Sequence, residues 1–210
     1  MSKTGRFITL EGGEGTGKST LIQGLCDALE RRGQAVLVTR EPGGTPLAEH
    51  VRNLALSPPD GQDWSPLAHA LLMNTSREDH LTKRIRPALA EGLWVLCDRF
   101  ADSTRAYQSI DGVDADALLQ IERLVVGATR PDLTLVLDAA PEELANRRQA
   151  RGVSDVFEAK DMKFHKQIRQ AFLDIAKAEP DRCAVVDALQ PPARVLSEAL
   201  ELIDQRLISV

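Results

Sequence analysis

The sequence is poor in cysteine, and neither its cysteines nor its histidines follow a metal-binding pattern. Cys26, Cys97 and Cys183 lie far apart, without the paired spacing of a zinc site or of a disulfide framework. The four histidines are widely separated as well, so no two of them could ligate one ion from neighbouring helical turns. We expect three buried free thiols and assign no catalytic role to the histidines.

The sequence also lacks a basic excess, a long apolar run and an apolar leader. Lys and Arg total 26 against 31 Asp and Glu, so the net field repels a nucleic-acid backbone, and we expect no polymeric DNA or RNA as a partner. A small anionic ligand needs only a local group of arginines, so nucleotides stay open as ligands. The missing apolar segments predict a cytoplasmic protein without membrane contact.

What is present is typical of a globular α/β protein. A length of 210 residues fits one domain better than two, and short β-branched runs alternate with helical stretches, which predicts a parallel β-sheet surrounded by helices. The predicted strands are residues 7–11, 35–39, 94–98, 133–138 and 184–187. Four of these end in Asp or Glu, and the other runs into Arg40-Glu41. Because ligands bind beyond the carboxyl ends of parallel strands, we expect one crevice at that edge.

Helices are predicted where apolar residues recur at three- and four-residue spacing between clear terminators. The predicted helices are residues 18–32, 46–56, 65–90, 114–126, 157–177 and 191–207. The third is long enough to suggest a bend near Pro87, because proline interrupts helical hydrogen bonding. In the fifth, Phe164 and Phe172 share an apolar face, so we expect them in the core and not at a ligand.

The strongest motif is a phosphate-binding loop that lies between a predicted strand and a predicted helix. The pattern G-x-x-x-x-G-K-S is satisfied by Gly12, Gly13, Glu14, Gly15, Thr16, Gly17, Lys18 and Ser19. We expect backbone N–H groups to hold a polyphosphate, Lys18 to reach its β- and γ-phosphates, and Ser19 to ligate Mg²⁺ with Thr20 assisting. The loop alone indicates only a nucleoside triphosphate ligand, since GTPases, ATPases and small-molecule kinases share it.

Three further motifs follow the loop in a specific order. They read T-R-E-P-G-G-T at residues 39–45, D-R-F at 98–100 and A-Y-Q at 106–108. Together with the loop they resemble bacterial thymidylate kinases, and the resemblance continues through R-P-D-L at 130–133 over nearly the whole chain. It implies the P-loop nucleoside monophosphate kinase fold, phosphoryl transfer from ATP to dTMP, Mg²⁺ as cofactor and a homodimer.

Charged residues after two of the strands are candidates for the acceptor site. Asp98 can orient water around Mg²⁺ or polarise an acceptor oxygen, and the planar fork of Arg99 can clamp a phosphate. The resemblance implies that Arg99 binds the dTMP phosphate with Arg40 close by, and that Glu41 contributes to the metal and water shell. Ordinary salt bridges between Asp98 and Arg99 and between Arg40 and Glu41 are the structural alternative.

Glu14 is unusual because a carboxylate beside a triphosphate repels the ligand unless it points elsewhere. The resemblance implies that Glu14 contacts the deoxyribose 3′-hydroxyl; a solvated loop carboxylate is the alternative. It also implies that Met73 lies under the thymine ring, where many relatives have Phe, and that Arg77 binds the base edge. Core packing alone is the alternative for Met73.

Four more positions match family residues around the nucleoside. Tyr107 resembles the tyrosine that crowds the sugar 2′-position, and Thr104 and Gln108 resemble residues that touch the base. Arg52 matches an arginine near the phosphate or base. Core packing for Tyr107 and a solvated helix face for Arg52 are the alternatives.

A basic segment over about residues 141–158 resembles the mobile lid of thymidylate kinases whose phosphate loop lacks arginine. Arg147 and Arg151 share one helix face, and guanidinium groups over a γ-phosphate stabilise the charge of the transition state. Relatives often read D-R-F-E where residues 155–158 of this chain read D-V-F-E, with one cation fewer. A solvated basic helix face is the alternative.

Two other functions remain open at this point. One is a kinase of the same fold that acts on another nucleoside monophosphate or a small hydroxylated metabolite. The other is a non-enzymatic P-loop switch that binds nucleotide and signals to a protein partner. The chain offers no N-K-x-D-type motif for reading guanine, so the switch has no support beyond the loop itself.

Overall fold

A parallel β-sheet lies at the centre of the molecule, as the alternating apolar and helical segments predict. The structure is a computed structural model that describes residues 5–144 and 161–208. Its strands are β1 Arg6–Glu11, β2 Val36–Arg40, β3 Trp94–Asp98, β4 Leu133–Asp138 and β5 Cys183–Asp187. They are ordered β2-β3-β1-β4-β5, and every neighbouring pair is parallel. The predicted fold class and all five predicted strands are confirmed, with bounds that shift by one residue at most.

Helices cover both faces of this sheet. In the described chain they are α1 Lys18–Arg31, α2 Pro46–Leu56, α3 Pro66–His80, α4 Arg86–Ala90, α5 Ala101–Ile110, α6 Ala115–Val126, α7 Met162–Ala178 and α8 Pro192–Ile203. A π-helical turn, Leu81–Ile85, joins α3 to α4 directly before Pro87. Since proline has no N–H to donate, α-helical bonding is interrupted beside it, and the helix predicted over 65–90 is broken there, whereas a bend near Pro87 stays a prediction.

Two helices differ from the prediction. Helix α5 was not predicted, because its N-cap residue Phe100 offers no side-chain cap and the acceptor that replaces it lies far away in the sequence. The helix predicted over 157–177 is described from Met162, and Asp161 caps it by accepting a hydrogen bond from the Phe164 N–H at 2.8 Å. Residues 157–160 of that prediction lie outside the described residues.

Alternating side chains of the strands build a core on each face of the sheet, as expected for strands buried on both sides. On one face the strands pack against α1 and α8, with Leu10, Leu25 and Val195 among the buried residues. On the other face Phe7, Phe100 and their neighbours pack together, and Phe164 and Phe172 join Tyr107 in a second cluster. The core assignment of the two phenylalanines is confirmed.

The three cysteines are free thiols, as expected, but one of them is not buried. Cys97 and Cys183 lie in β3 and β5 and are buried, whereas Cys26 on α1 is only half-buried. The expectation was wrong for Cys26 because its side chain packs at the margin of the core and not within it. Burial raises the pKa of the Cys97 thiol well above its usual value, so this thiol is protonated at neutral pH.

Parallel pairing brings the polar ends of three strands to one edge of the sheet. Arg40 pairs in register with Asp98, and Leu10, the neighbour of Glu11, pairs with Asp98 on the other side. The predicted crevice is therefore found at this edge. Over residues 5–144 and 161–208, no helix is both long enough and apolar enough to span a bilayer.

Candidate active site

A cavity of about 1060 Å³ opens at the carboxyl edge of the sheet. Nearly all of the described residues that the sequence assigns to a site line this cavity or a small pocket beside it. Those that line the cavity are Glu14, Gly15, Thr16, Gly17, Lys18, Ser19, Thr20, Arg40, Glu41, Arg52, Met73, Arg77, Asp98, Arg99, Thr104, Tyr107 and Gln108. Gly12 and Gly13 line a small neighbouring pocket beneath the loop. Residues from five separate segments thus meet around one space.

The phosphate-binding loop depends on glycine at two positions for different reasons. A Cβ atom on Gly12 would lie 2.4 Å from the carbonyl oxygen of Leu137, so the close approach of the loop to β4 requires glycine. Gly17 is the N-cap of α1 and has a φ of 93°, in the left-handed region. The loop is also held internally, because the Thr16 hydroxyl donates to the Gly13 carbonyl at 3.0 Å.

Lys18 is buried above the loop, and its ammonium group is held by main-chain carbonyls. Its Nζ donates to the carbonyl oxygens of Gly12 and Gly13, each at 3.0 Å. Burial lowers the pKa of Lys18, and the nearby positive charge of Arg99 lowers it further, while surrounding carboxylates oppose the shift. A desolvated cation fixed at a helix N-terminus is a favourable partner for a polyphosphate.

Ser19 and Asp98 form the best-matched pair for a divalent cation. The Ser19 hydroxyl lies 3.4 Å from Asp98 Oδ2, and Asp98 Oδ1 is buried without a hydrogen-bond donor among the described residues. Such an oxygen is costly unless a cation or water meets it. Magnesium sites completed by substrate phosphates need only one or two carboxylates, so the two residues fit Mg²⁺ even though the described residues contain no cluster of three metal-binding side chains.

Arg99 follows β3 and points across the cavity toward the phosphate loop. Its Nη2 donates to Glu14 Oε1, its Nη1 donates to the Ser103 hydroxyl at 3.0 Å, and its guanidinium carbon lies 5.2 Å from the centre of the Tyr107 ring. Burial lowers the pKa of Arg99, but the Glu14 carboxylate and its neighbours outweigh burial and raise the pKa overall. Arg99 therefore remains charged.

Glu14 points toward Arg99 and Tyr107 and is not a solvated loop carboxylate. Its side chain is 15% exposed, and its Oε1 accepts hydrogen bonds from Arg99 and, at 3.1 Å, from the Tyr107 hydroxyl. Burial raises the pKa of Tyr107 so that the hydroxyl stays neutral and donates. The contact of Glu14 with an acceptor sugar stays a prediction, and the salt bridge of Arg99 is with Glu14 instead of Asp98.

Glu11, which was not assigned to the site, anchors the segment that follows Arg99. Its buried carboxylate accepts hydrogen bonds from the Phe100 N–H at 2.8 Å and from the Ser103 N–H and hydroxyl at 3.2 and 2.6 Å. These contacts cap α5 from the end of β1. Burial, aided by the negative charge of Asp102, raises the pKa of Glu11 from 4.5 to about 7.

Arg77 projects from α3 into the interior and is almost fully committed to protein partners. Its Nε donates to Glu41 at 2.8 Å, Nη1 donates to Asn74 at 2.9 Å, and Nη2 donates to the Phe100 carbonyl and the Thr104 hydroxyl, both at 3.0 Å. The side chains of Arg77 and Glu41 are each 3% exposed. This buried pair fixes the guanidinium at the wall of the cavity.

His80 supports the same pair from behind. Its Nδ1 lies 3.0 Å from Glu41 Oε1, and its Nε2 lies 2.7 Å from the Thr39 hydroxyl at the end of β2. Both oxygens of Glu41 are therefore in contact with Arg77 or His80. The contribution of Glu41 to a metal shell stays a prediction. Sequence reasoning missed His80 because its partners are 39 and 41 residues away.

Two more arginines lie at the mouth of the cavity. Arg40 is half exposed and donates to Glu49 at 2.8 Å, so its salt bridge is with α2 and not with Glu41. Arg52 donates to the Pro42 carbonyl at 2.9 Å and lines the cavity, so it does not lie on a solvated helix face. The salt bridges between sequence neighbours, which were the structural alternative for these residues, are therefore not formed by the described side chains.

Met73 and Gln108 contribute a partly apolar wall opposite these charges. Met73 is buried and lines the cavity, so it packs in the core at the cavity wall, and its contact with a base stays a prediction. Gln108 is 1% exposed, and its Nε2 has no hydrogen-bond partner among the described residues. An orphaned amide at the edge of a cavity is suited to a polar ligand edge.

The cavity extends further than the motifs predict, toward the chain after β5. Gln190, Ala193 and Leu196 line it there, beside Gly24 of α1. No motif marks these residues, because they supply ordinary shape and apolar surface. The predicted lid arginines, Arg147 and Arg151, lie outside the described residues, as does residue range 145–160 as a whole.

Comparison with known proteins agrees with the motif order. The family model described as thymidylate kinase matches residues 10–199. A thymidylate kinase from Caulobacter vibrioides is 48% identical over 204 residues, or 97% of this chain and 98% of that protein. One from Bradyrhizobium sp. (strain ORS 278) is 47% identical over 209 residues, or 98% of this chain and 92% of the relative.

A solved structure gives the same answer at the level of the fold. The crystal structure of thymidylate kinase from Ehrlichia chaffeensis matches with a TM-score of 0.76 at 34% sequence identity, covering 95% of this chain and 99% of that one. Neither the same-fold kinase for another acceptor nor the switch is favoured by these matches. On its sequence motifs, its sheet and its relatives alike, the chain belongs to the thymidylate kinase family.

Proposed function

We propose that this chain transfers the γ-phosphoryl group of ATP to dTMP, with the donor at the phosphate loop and the acceptor against Arg99. Membership of the thymidylate kinase family supports both substrates. The single observation that carries the proposal is that Lys18, from the phosphate loop, and Arg99, from the end of β3, line the same cavity. Two phosphate-binding cations that face one space suit a reaction in which a phosphoryl group passes between two phosphorylated ligands.

On the donor side, loop N–H groups and Lys18 bind the polyphosphate of ATP. The residues beyond β5, including Gln190 and Leu196, offer space and apolar surface for the nucleoside of the donor. Catalysis in this arrangement comes from positioning and from neutralising charge on the transferred group, so no covalent enzyme intermediate is needed.

On the acceptor side, Arg99 clamps the phosphate of dTMP, with Arg40 and Arg52 at the mouth. Arg77, Thr104 and Gln108 are positioned for the base edge, and Met73 for the base face. Glu14 and Tyr107 face the sugar. The orphaned Gln108 amide and the fixed Arg77 fork support this orientation of the base.

Mg²⁺ is the proposed cofactor, held by Ser19 and Asp98. Bound there with the donor, it would neutralise charge on the β- and γ-phosphates. The role of Glu41 in its water shell remains a prediction, as does the role of Arg147 and Arg151 at the γ-phosphate from a lid over about residues 141–158. A single domain over residues 1–210 and a cytoplasmic location also belong to the proposal.

A homodimer is the proposed assembly, and exposed leucines support it. Leu47 and Leu54 on α2 and Leu67 and Leu71 on α3 are between 38% and 56% exposed, and α2 packs against α3. Exposed apolar residues at such spacing on two adjacent helices are typical of a protein interface. Light scattering measures the mass directly: twice the 23.0 kDa chain is expected, and a monomer at micromolar concentration would contradict this part.

A coupled ADP-release assay across dTMP, dUMP, CMP, AMP and GMP tests the reaction. We expect the highest kcat/KM with dTMP, and a strict requirement for Mg²⁺ or a similar divalent cation. Equal rates with all acceptors would leave a kinase of broader specificity. ADP release without any phosphorylated acceptor would instead favour the nucleotide-binding switch.

A further inference from the structure

We propose that Glu11 is a positioning residue for the acceptor clamp and that it acts through Ser103 on the Arg99 guanidinium. The inference rests on the proposed role of Arg99 in binding the acceptor phosphate. Glu11 itself does not line the cavity and is fully buried at the end of β1. Its effect on the ligand is therefore indirect.

The first step is the contact between Glu11 and Ser103. Glu11 Oε2 lies 2.6 Å from the Ser103 hydroxyl, while Oε1 accepts from the Ser103 N–H and the Phe100 N–H. A helix cap needs only one acceptor for the free N–H groups. The second oxygen of Glu11 is thus available for the hydroxyl, which is more than capping requires.

The second step is the direction of the Ser103 hydroxyl. Above its pKa of about 7 the carboxylate of Glu11 is ionised and can only accept, so the hydroxyl then donates its hydrogen to Glu11 and keeps its lone pairs for other donors. Arg99 Nη1 donates to one of them at 3.0 Å. An amide in place of Glu11 can donate, so it would compete with Arg99 for the same Ser103 oxygen or leave the hydroxyl without its acceptor.

The third step is the backbone of Arg99, which lies in a region that side chains rarely adopt. Its φ is +67°, and among the described residues Arg99 is the one residue other than glycine with a positive φ. The Arg99 N–H donates to the Leu10 carbonyl at 3.0 Å, and the next N–H, of Phe100, donates to Glu11. Consecutive residues of β1 thus hold both the backbone and, through Ser103, the side chain of Arg99.

The second hydrogen bond of the Arg99 guanidinium, to Glu14, explains why the one to Ser103 matters. Nη2 is bound to Glu14, a residue of the phosphate loop. With Nη1 held by Ser103 and Nη2 by Glu14, the plane of the guanidinium is fixed by two points. Loss of the hydrogen bond to Ser103 leaves the guanidinium with one side-chain hydrogen bond, to Glu14, about which the group can turn on the Tyr107 ring, so the fork no longer faces the phosphate in one orientation.

A double-mutant cycle tests this chain of contacts. The variants are Glu11→Gln, Ser103→Ala and the two combined, each assayed at pH 8, where Glu11 is ionised, for kcat and for KM with dTMP and with ATP. We expect each single change to raise the KM for dTMP about tenfold, with the KM for ATP changed less than about twofold. Since both act on the same contact, the double variant should resemble the more affected single variant.

Glu122→Gln is the matched control. Glu122 is also a largely buried carboxylate with a raised pKa, and its partner Arg105 belongs to α5 as well, but neither residue lines the cavity. We expect the KM for dTMP of this variant to match that of the unchanged protein. An equal rise in Glu122→Gln, multiplicative effects in the double variant, or equal changes in both KM values would each overturn the proposal.

Two further readouts keep the test decisive. If Glu11→Gln does not fold, Ser103→Ala still breaks the contact to Arg99 while leaving the Phe100 N–H bound to Glu11, and an unchanged KM for dTMP in that variant would overturn the inference. Calorimetric affinity for dTMP, measured on the same proteins, should fall about tenfold in both single variants. Failure of the unchanged protein to phosphorylate dTMP would overturn the proposed function, and the dTMP affinities would then decide the inference separately.

Discussion

The two halves that we propose for the cavity, one for the donor and one for the acceptor, are built in different ways. The donor half takes its predicted contacts from one stretch, residues 12–20, whose main-chain groups are shaped by glycine. The proposed acceptor half draws Glu41, Arg77 and Arg99 from three segments. A buried side-chain contact joins Arg77 to Glu41, and Arg99 is held by Glu14 of the phosphate loop. A local motif can therefore be recognised without a structure, whereas an assembled wall is defined by partners that only the fold brings together.

The difference also separates what substitutions should do. A change in the donor half removes a contact to the ligand while leaving the hydrophobic core untouched. A change in the acceptor half also removes the partner of another buried charge, so binding and stability change together. Substitutions in each half test whether effects on ligand binding can be separated from effects on stability.

Lys18→Ala should have the largest effect, and on turnover alone. We expect kcat to fall by about 10³-fold or more, because a preorganised charge at the transferred group is lost. The melting temperature should stay unchanged. Lys83→Ala is the control, since Lys83 is exposed and pairs with Asp79 outside the cavity. Comparable turnover in the two variants would contradict the donor assignment.

Glu41→Gln should mainly reduce stability. Without the carboxylate, the buried charge of Arg77 loses its partner, and we expect the free energy of unfolding to fall by about 3 kcal/mol. Glu49→Gln in the more exposed pair with Arg40 should cost less than about 1 kcal/mol. Urea denaturation of both variants measures the difference, and similar losses would show that burial does not distinguish the two pairs.

Arg99→Ala should mainly weaken binding of the acceptor, dTMP. Loss of a two-pronged phosphate contact should raise the KM for dTMP about 100-fold, with the KM for ATP changed less than about threefold. Arg99→Lys keeps the charge without the planar fork and should give an intermediate KM. Steady-state kinetics with each substrate varied in turn measures both values. An equal rise in the two KM values would contradict the division of the cavity into halves.

The buried carboxylate of Glu11 should make stability depend on pH. Its pKa is raised from 4.5 to about 7 in the folded chain, so folding favours its protonated form. The stabilisation is fully present below pH 4.5 and is lost as the pH rises through 7. Relative to Glu11→Gln, the unchanged protein should lose about 2 kcal/mol between pH 5 and pH 8. Parallel stability curves for the two proteins would contradict the raised pKa.

Met73→Phe should have the smallest effect, and a favourable one. An aromatic ring under the base would add stacking worth about 1 kcal/mol, so the KM for dTMP should fall severalfold. Leu71→Phe places the same ring on the exposed side of α3 and should leave the KM unchanged. A higher KM in Met73→Phe would mean that the buried wall has no room for the larger side chain.

The sequence predicts the sheet, the phosphate loop and most site residues because their signals are local or belong to family motifs. Helix α5 was missed because its cap, Glu11, lies 89 residues before the capped N–H of Phe100. The salt-bridge partners of Arg40 and Arg99 were also missed. They are Glu49 and Glu14, which lie nine and 85 residues away in the sequence, and not the adjacent carboxylates. His80 gave no signal, because its two partners meet it only after β2 and α3 pack.

The proposed place of Arg77 at the base edge has a consequence for how the acceptor base is selected. Among the described contacts, four of its five N–H donors are already bound to protein. Little rotamer entropy remains to be lost when a ligand arrives, so the group acts as a preformed template. A rigid N–H donor can hydrogen-bond the O4 acceptor of thymine, whereas it meets another donor in the N4 amino group of cytosine. Rejection of cytosine would then follow from the rigidity of Arg77. A substitution that makes the Arg77 side chain mobile should therefore lower the selectivity for thymine over cytosine before it abolishes turnover.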